Sequence, residues 1–217
     1  MARGPLIVIE GQNRIGKAHI ARIVSRELKK LTNTEITSIK LPQRDCPGIA
    51  MPWANCLTEK YVSGKLDLDV KVAHHLFSAE RWRTINYVKG RLQAGCPVVL
   101  QRYVASGHVH TLAQGGVDSD WCKQFDKGLI KPDLVLYLFK NEGDDPEDEW
   151  YEPERFETPE MQKRMKELYQ QFQETEDGWL PVPVTNKTIG DVSNQVVPVI
   201  KRLLKQFSKE NKEFQYY

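Results

Sequence analysis

Two glycines and a lysine near the amino terminus have the spacing of a phosphate-binding loop. Gly11, Gly16 and Lys17 form the pattern G-x-x-x-x-G-K. The glycines let the backbone curl so that its N–H groups point at one phosphate, and the lysine supplies a cation to the β and γ oxygens. The motif normally continues with serine or threonine, whose hydroxyl holds Mg²⁺, but here Ala18 and then His19 follow. The sequence therefore predicts a nucleotide phosphate site that lacks its metal-binding hydroxyl.

The segments on either side of this loop are suited to position it. Residues 6–9 form a short apolar run rich in β-branched side chains, which is typical of a central parallel strand. Ile20, Val24 and Leu28 then recur at helical spacing and predict a helix that begins at Lys17. The positive end of this helix would face the same phosphate. The alternative interpretation is an ordinary strand–turn–helix corner.

Strand and helix patterns alternate along the rest of the chain. We expect an α/β protein with the P-loop NTPase fold, in which one parallel five-stranded sheet carries helices on both faces and residues 1–217 form a single domain. The acidic stretch at residues 141–154 predicts a mobile loop, and the polar tail at about 208–217 predicts a loosely packed end. Further strands are predicted at residues 35–41, 97–103, 134–139 and 180–184, and helices at 68–92, 104–114, 161–172 and 192–207.

Composition excludes several classes of protein. The net charge of +2 and the pI near 8.3 give no strong polyelectrolyte signature, so we expect no direct contact with nucleic acid or membrane. The chain has no signal-peptide pattern and no apolar run of about 20 residues, which predicts a protein that neither spans a membrane nor is secreted. The cysteines do not form C-x-x-C pairs and are predicted to be reduced thiols of an intracellular protein, in the cytoplasm or nucleus: Cys46, Cys56, Cys96 and Cys122.

Polar residues follow two of the predicted strands. Arg44 lies three residues beyond the second strand, at its carboxyl end, and Gln101 and Arg102 end the third. Ligands bind at the carboxyl edge of open α/β sheets, so these side chains are candidates for ligand contacts. Phe77 and Arg81 are four residues apart on a predicted helix and could clamp a flat base. Spacing alone favours a simpler interpretation, a core phenylalanine and a surface arginine.

Several segments resemble the thymidylate kinase family, in its eukaryotic and poxviral branch, and together they cover nearly the whole chain. Arg14 lies inside the loop as in the family's GxDRxGKST. LPQR resembles FPxR, HHLFSAERW resembles HLLFSANRW, and QRYVASG resembles DRYxxSG. DWCKQFDKGLIKPDLVLYL resembles DWCKQPDxGLPKPDLVLFL, and EPERFE resembles GxERYE at the end of a lid. The resemblance implies transfer of the γ-phosphoryl group of ATP to dTMP with Mg²⁺, usually by a dimer.

The resemblance assigns roles to residues of this chain. Arg14, Lys17 and Arg102 would be catalytic. Thymine would stack on Phe77 and receive a hydrogen bond from Arg81. The resemblance also implies a lid at about residues 140–157, with Arg155 and Phe156 at its end. The remaining nucleotide-binding positions would be Gly11, Gly16, Arg44 at the dTMP phosphate, and Ser106 and Gly107 beside the base.

Other positions depart from the family pattern. Asn13 replaces a loop aspartate that touches the acceptor, Ala18 replaces the metal-binding hydroxyl, and Gln101 replaces the aspartate that supports the Mg²⁺ shell. The lid offers Asp148 and other acids near the register of a family arginine, and loss of such an arginine alone lowers phosphoryl transfer by ~10³-fold. No protein metal ligand is therefore predicted, and Mg²⁺ would matter only if the chain is active.

The departures leave three hypotheses and favour the first of them. The first is a pseudoenzyme that binds dTMP and ATP and acts as a binding or scaffold module. The second is an active, divergent dTMP kinase in which His19, Gln101 or water replaces the lost ligands. The third is a relative that acts on another monophosphate, because His108 and His110 replace apolar or aromatic residues of the family pattern. The helix at residues 68–92 is expected to form the contact of a homodimer or of a heteromeric complex. Ile85 and Tyr87 are predicted to be exposed on it, with Trp53 nearby.

Overall fold

This computed structural model describes residues 2–42, 52–141 and 156–217, with the side chains of 52–55 and 189 excepted. Arg44, Arg155 and Asp148 lie outside the described residues, as do Cys46 and most of the predicted lid. The three cysteines within them, Cys56, Cys96 and Cys122, are free thiols.

The described strands form one parallel five-stranded sheet with the order β2-β3-β1-β4-β5. All six residues of β1 are buried, because it lies at the centre of the sheet with a helical layer on each face. This confirms the predicted α/β architecture. The strands are β1 (Leu6–Gly11), β2 (Thr37–Lys40), β3 (Val98–Gln101), β4 (Leu134–Phe139) and β5 (Trp179–Pro183).

The helices cover both faces of this sheet. Ile7 and Ile9 of β1 belong to the hydrophobic cluster that includes residues of α1 and α7, whereas Leu6 and Val8 pack in a second cluster with α3. This alternation follows from the two-residue period of a strand. The helices are α1 (Lys17–Thr32), α2 (Pro52–Val62), α3 (Val70–Gln93), α4 (Val104–Gln114), α5 (Ser119–Gln124), α6 (Pro159–Thr175) and α7 (Ile189–Lys209). Among the described residues, no helix is long and apolar enough to cross a membrane.

Helix α3 corrects one expectation. Ile85 is buried rather than exposed, because it shares a helix face with Val88 and Leu92 and packs with them against the sheet. Tyr87 is 42% exposed, as predicted, and Val72 is also exposed. The side chain of Trp53 is outside the described set.

The carboxyl-terminal segment corrects another. The tail was predicted to be loosely packed, but Tyr217 and Phe214 pack against a hydrophobic cluster and the backbone of the tail pairs with the loop before β4. The prediction was wrong because the polar composition of the tail hides these two aromatic anchors. The sequence also gave no sign that Arg3, more than 200 residues away, hydrogen-bonds to the backbone of the tail.

Candidate functional site

A pocket of about 160 Å³ lies at the carboxyl edge of the sheet. It joins the loop after β1, the ends of β2 and β3, and the facing sides of α3 and α4. The structure therefore brings together most of the predicted site residues that it describes. Those that line the pocket are Asn13, Phe77, Arg81, Arg102, Ser106, Gly107 and Phe156.

The phosphate-binding loop has the backbone that its sequence predicts. Gly11 has a φ of 136° and Gly16 a φ of 88°, conformations that L side chains rarely adopt. A Cβ at Gly11 would also overlap the carbonyl of Leu138. Lys17 begins α1, and its Nζ donates to the carbonyl oxygens of Gly11, at 2.9 Å, and Gln12. Burial and the nearby Arg102 lower the pKa of Lys17, and a phosphate bound beside it would stabilise its charged form.

The donors beside the loop do not fit Mg²⁺. Ala18 offers a methyl group where the family pattern has a metal-binding hydroxyl, and Gln101 offers a neutral amide where the pattern has an aspartate that supports the Mg²⁺ shell. Glu10 is a buried carboxylate beneath the loop, but it already accepts hydrogen bonds from the backbone N–H groups of Tyr103, at 2.8 Å, and Ser106, at 3.3 Å, and from the Ser106 hydroxyl. Burial raises the pKa of Glu10. Because Mg²⁺ favours carboxylate and phosphate oxygens, this set is a poor site for it.

Arg102 points into the pocket between two neutral partners. It adopts a positive φ of 66°, and its Nη2 donates to Asn13 Oδ1 at 2.5 Å. Its Nη1 lies 3.4 Å from His110 Nε2, while His110 Nδ1 lies 2.6 Å from the carbonyl oxygen of Ser106. A carbonyl can only accept, so His110 carries its proton on Nδ1 and accepts from Arg102. Burial, followed by the charge of Arg102, lowers the pKa of His110 to about 3. Neither Asn13 nor His110 neutralises the positive charge of Arg102, which is therefore suited to a phosphate.

Arg81 is held by a buried carboxylate, so the simpler interpretation of a surface arginine is wrong. Its Nε and Nη2 donate to both oxygens of Asp126, at 2.9 and 2.7 Å. Asp126 also accepts from Ser78 Oγ at 3.1 Å and from His108 Nε2 at 2.8 Å. Although burial raises the pKa of Asp126, the His108 hydrogen bond and the charge of Arg81 bring it down to about 2. A Cβ added at Gly107 would lie 2.8 Å from Arg81 Cζ, so only glycine leaves room for this guanidinium.

His74, His108 and Asp126 form a possible metal cluster, with one ligand atom of each within 4.8 Å of the others. However, Arg81 bonds to both oxygens of Asp126, so a divalent ion there would lie beside a guanidinium. We therefore explain Asp126 and His108 as the support of Arg81, while His74 Nδ1 is paired with the hydroxyl of Thr111. Sequence reasoning assigned no role to Asp126, although it lies inside the segment DWCKQFDKGL; an acid between a predicted helix and the next strand was the available signal.

The end of the predicted lid contacts the phosphate loop. Phe156 is 1% exposed, and its ring lies edge-on to His110 with centroids 4.7 Å apart. Arg14 Nη2 lies 2.9 Å from Glu157 Oε2, and Gln12 Nε2 donates to the carbonyl of Gln162 at 2.8 Å. The structure thus places Phe156 in the pocket wall and Arg14 in the adjoining phosphate loop, paired with Glu157.

A parallel sheet of this order, with a phosphate-binding loop after its central strand and a basic pocket beside it, defines the nucleoside monophosphate kinase fold. The chain belongs to the thymidylate kinase family, since the family model for thymidylate kinase matches residues 9–196. Thymidylate kinase from Plasmodium falciparum is 32% identical over 93% of this chain and 91% of its own, and that from Dictyostelium discoideum is 30% identical over 89% and 83%. The structure of thymidylate kinase from Candida albicans superposes with a TM-score of 0.83 at 29% identity, covering 100% of this chain and 99% of that one.

Proposed function

We propose that this chain is a thymidylate-kinase-like nucleotide-binding protein with weak or no phosphoryl transfer. In this proposal it binds dTMP and ATP and acts as a binding or scaffold module. The observation that carries it is a contrast within one site. Arg81 and Arg102 are held by hydrogen bonds beside the acceptor pocket, whereas Ala18 and Gln101 replace the metal-binding hydroxyl and the aspartate that supports the Mg²⁺ shell.

The acceptor pocket supports binding of a planar base and a phosphate. Phe77 lines the pocket and offers a ring on which thymine can stack. Arg81 Nη1, unlike its Nε and Nη2, makes no hydrogen bond to Asp126 and can donate to a base carbonyl. Arg102 supplies positive charge where the phosphate would lie, and Ser106 and Gly107 close the wall.

The magnitude of the losses supports impaired transfer. Phosphoryl transfer depends on positioning and on neutralisation of charge. The metal and the arginine of the family lid therefore account for much of the rate enhancement. Loss of the arginine alone lowers the rate by ~10³-fold. This chain departs from the family pattern at Ala18 and Gln101, the two positions linked to Mg²⁺. It also has Asp148 near the position where the family lid has an arginine. Such losses need not add, but together they move the rate toward background.

The alternative is an active, divergent dTMP kinase. The position of Lys17 at the start of α1, and the thymidylate kinase names of the relatives, favour it. A coupled assay with ATP, Mg²⁺ and dTMP separates the two proposals. Calorimetry with dTMP and with ATP tests the binding that both require; if neither nucleotide binds at millimolar concentration, only a scaffold role remains.

We also propose that two copies of the chain associate through helix α3. Val72, Trp82 and Tyr87 are 47%, 40% and 42% exposed on this helix, and aromatic residues such as tryptophan and tyrosine are enriched in protein–protein interfaces. Light scattering on the full chain tests the dimer, and a monomer without a binding partner contradicts it.

The free thiols support an intracellular location.

A further inference from the structure

We infer that the carboxyl-terminal segment at residues 212–217 positions Arg81 for the base, through the loop that carries Asp126, and that Tyr217 is the positioning residue. The inference deepens the proposed function and rests on the binding of an acceptor nucleotide in the pocket. It concerns a part of the chain that contributes no lining residue to the pocket.

The segment is paired with the loop that follows Asp126. Gly128 N donates to the carbonyl of Tyr217 at 3.0 Å, and Tyr217 N donates to the carbonyl of Leu129 at 3.0 Å. Lys131 N donates to the carbonyl of Gln215 at 2.8 Å. The tail therefore pairs with one side of the loop through an antiparallel bridge, which fixes the loop backbone between Gly128 and Lys131.

The other side of the same loop is fixed by helix α3. Trp82 Nε1 and Ser78 Oγ donate to the carbonyl of Phe125, at 2.7 and 3.1 Å. Leu129 N donates to the carbonyl of Asp126 at 3.0 Å, so the Asp126 backbone is bonded to a residue that the tail also holds. Asp126 is thus fixed between α3 and the tail, and it in turn bonds to Arg81 through both oxygens.

Tyr217 connects the tail to the pocket wall. Its ring lies 6.4 Å from the ring of Tyr103, which lines the pocket and donates its backbone N–H to Glu10. Burial raises the pKa of the Tyr217 phenol. Its neighbour Tyr216 is 47% exposed, so the two adjacent tyrosines differ in environment and provide a matched pair.

Arg3 anchors the start of the segment. Its guanidinium lies between the rings of Phe207 and Phe214, 4.9 and 4.7 Å from their centroids, and donates to the backbone carbonyls of Lys212 and Glu213. It also bonds to both oxygens of Asp133 just before β4. The tail is therefore tied to the sheet at one end and to the Asp126 loop at the other.

The test compares three variants of the full chain, Tyr217→Ala, Tyr217→Phe and Tyr216→Ala, by calorimetry with dTMP and separately with ATP. We expect Tyr217→Ala to weaken dTMP binding by about tenfold, because small misplacements of binding groups have effects of this order, and to leave ATP affinity unchanged. Tyr217→Phe keeps the ring and should restore dTMP affinity, and Tyr216→Ala should match the parent chain. A purely structural role would weaken both nucleotides together.

Equal dTMP affinity in Tyr217→Ala and the parent chain overturns the inference while leaving the proposed function intact. If the parent chain binds no dTMP, the proposed function fails instead. Hydrogen exchange then tests the coupling without a ligand: Tyr217→Ala should speed exchange at residues 125–129 and in α3 around Arg81, and unchanged exchange there contradicts the inference.

Discussion

The acceptor pocket and the neighbouring phosphate loop differ in how their charges are held. On the acceptor side, Arg81 is 3% exposed and forms a two-point ion pair with Asp126, which is itself bonded to two further side chains. On the phosphate-loop side, Lys17 donates to the backbone carbonyls of Gly11 and Gln12, and Ala18 offers no side-chain oxygen. A nucleotide pocket can therefore keep its recognition geometry while the groups that neutralise transferred charge are replaced.

Repair of the loop side is expected to give the largest effect. The combined variant Asn13→Asp, Ala18→Ser, His19→Thr, Gln101→Asp and Asp148→Arg restores the family residues, and turnover with dTMP should rise by at least ~10²-fold. Single substitutions should do little, because these groups act as a unit. Steady-state kinetics on the singles and the combination measure this. A combined variant that binds both nucleotides yet stays inactive would show that lid geometry, not these residues, was the decisive loss.

Removal of the base-binding cation is expected to be the next largest effect. Arg81→Ala should weaken dTMP binding by about 1–3 kcal/mol, the range for a lost charged hydrogen bond. The substitution also leaves the buried carboxylate of Asp126 without its guanidinium partner, which could destabilise the fold. The double variant Arg81→Ala/Asp126→Asn removes that carboxylate charge as well and serves as the folding control. Calorimetry with dTMP measures the change. An unchanged affinity in both variants would show that Arg81 does not contact the base.

Two glycine substitutions sharpen the same comparison. In Gly107→Ala the new methyl group would displace the Arg81 guanidinium, so dTMP affinity should fall by about tenfold with ATP affinity kept. Gly90→Ala is the matched control, since a Cβ there meets no atom within 4 Å, and alanine in a helix should stabilise the fold by about 0.5–1 kcal/mol. Calorimetry and thermal unfolding check both. Normal dTMP binding by Gly107→Ala would mean that Arg81 can move without consequence.

The smallest effect concerns the metal. Since Ala18 and Gln101 are poor Mg²⁺ ligands, ATP titrations with and without Mg²⁺ should nearly coincide. Calorimetry in the presence of a chelator supplies the metal-free curve. A large tightening by Mg²⁺ would contradict the account of the loop side.

Much of the fold was predictable because its signals are local. The apolar run of β1, the glycine loop and the helical spacing in α1 each arise from neighbouring residues, and the bounds of α4 and β4 agree with those predicted from sequence. The burial of Ile85 was missed although its spacing to Val88 and Leu92 is local, whereas the docking of Tyr217 depends on partners distant in sequence.

The site was predictable to a similar extent. Phe77 and Arg81 share the pocket because they share a helix face. The Asp126 support is a long-range contact, as Arg81 and Asp126 are separated by 45 residues and no local pattern joins them. The proton position on His110 likewise follows from the carbonyl of Ser106 and the guanidinium of Arg102, which only the folded chain brings together.

The measurement that tests the central claim most directly is turnover by the unmodified chain with ATP, Mg²⁺ and dTMP, made alongside dTMP calorimetry on the same preparation. The account predicts measurable dTMP binding with turnover far below the roughly 1 s⁻¹ or more of an active kinase. Turnover at or above that rate would contradict it, and would mean that other groups of this chain supply the charge neutralisation that Ala18 and Gln101 do not.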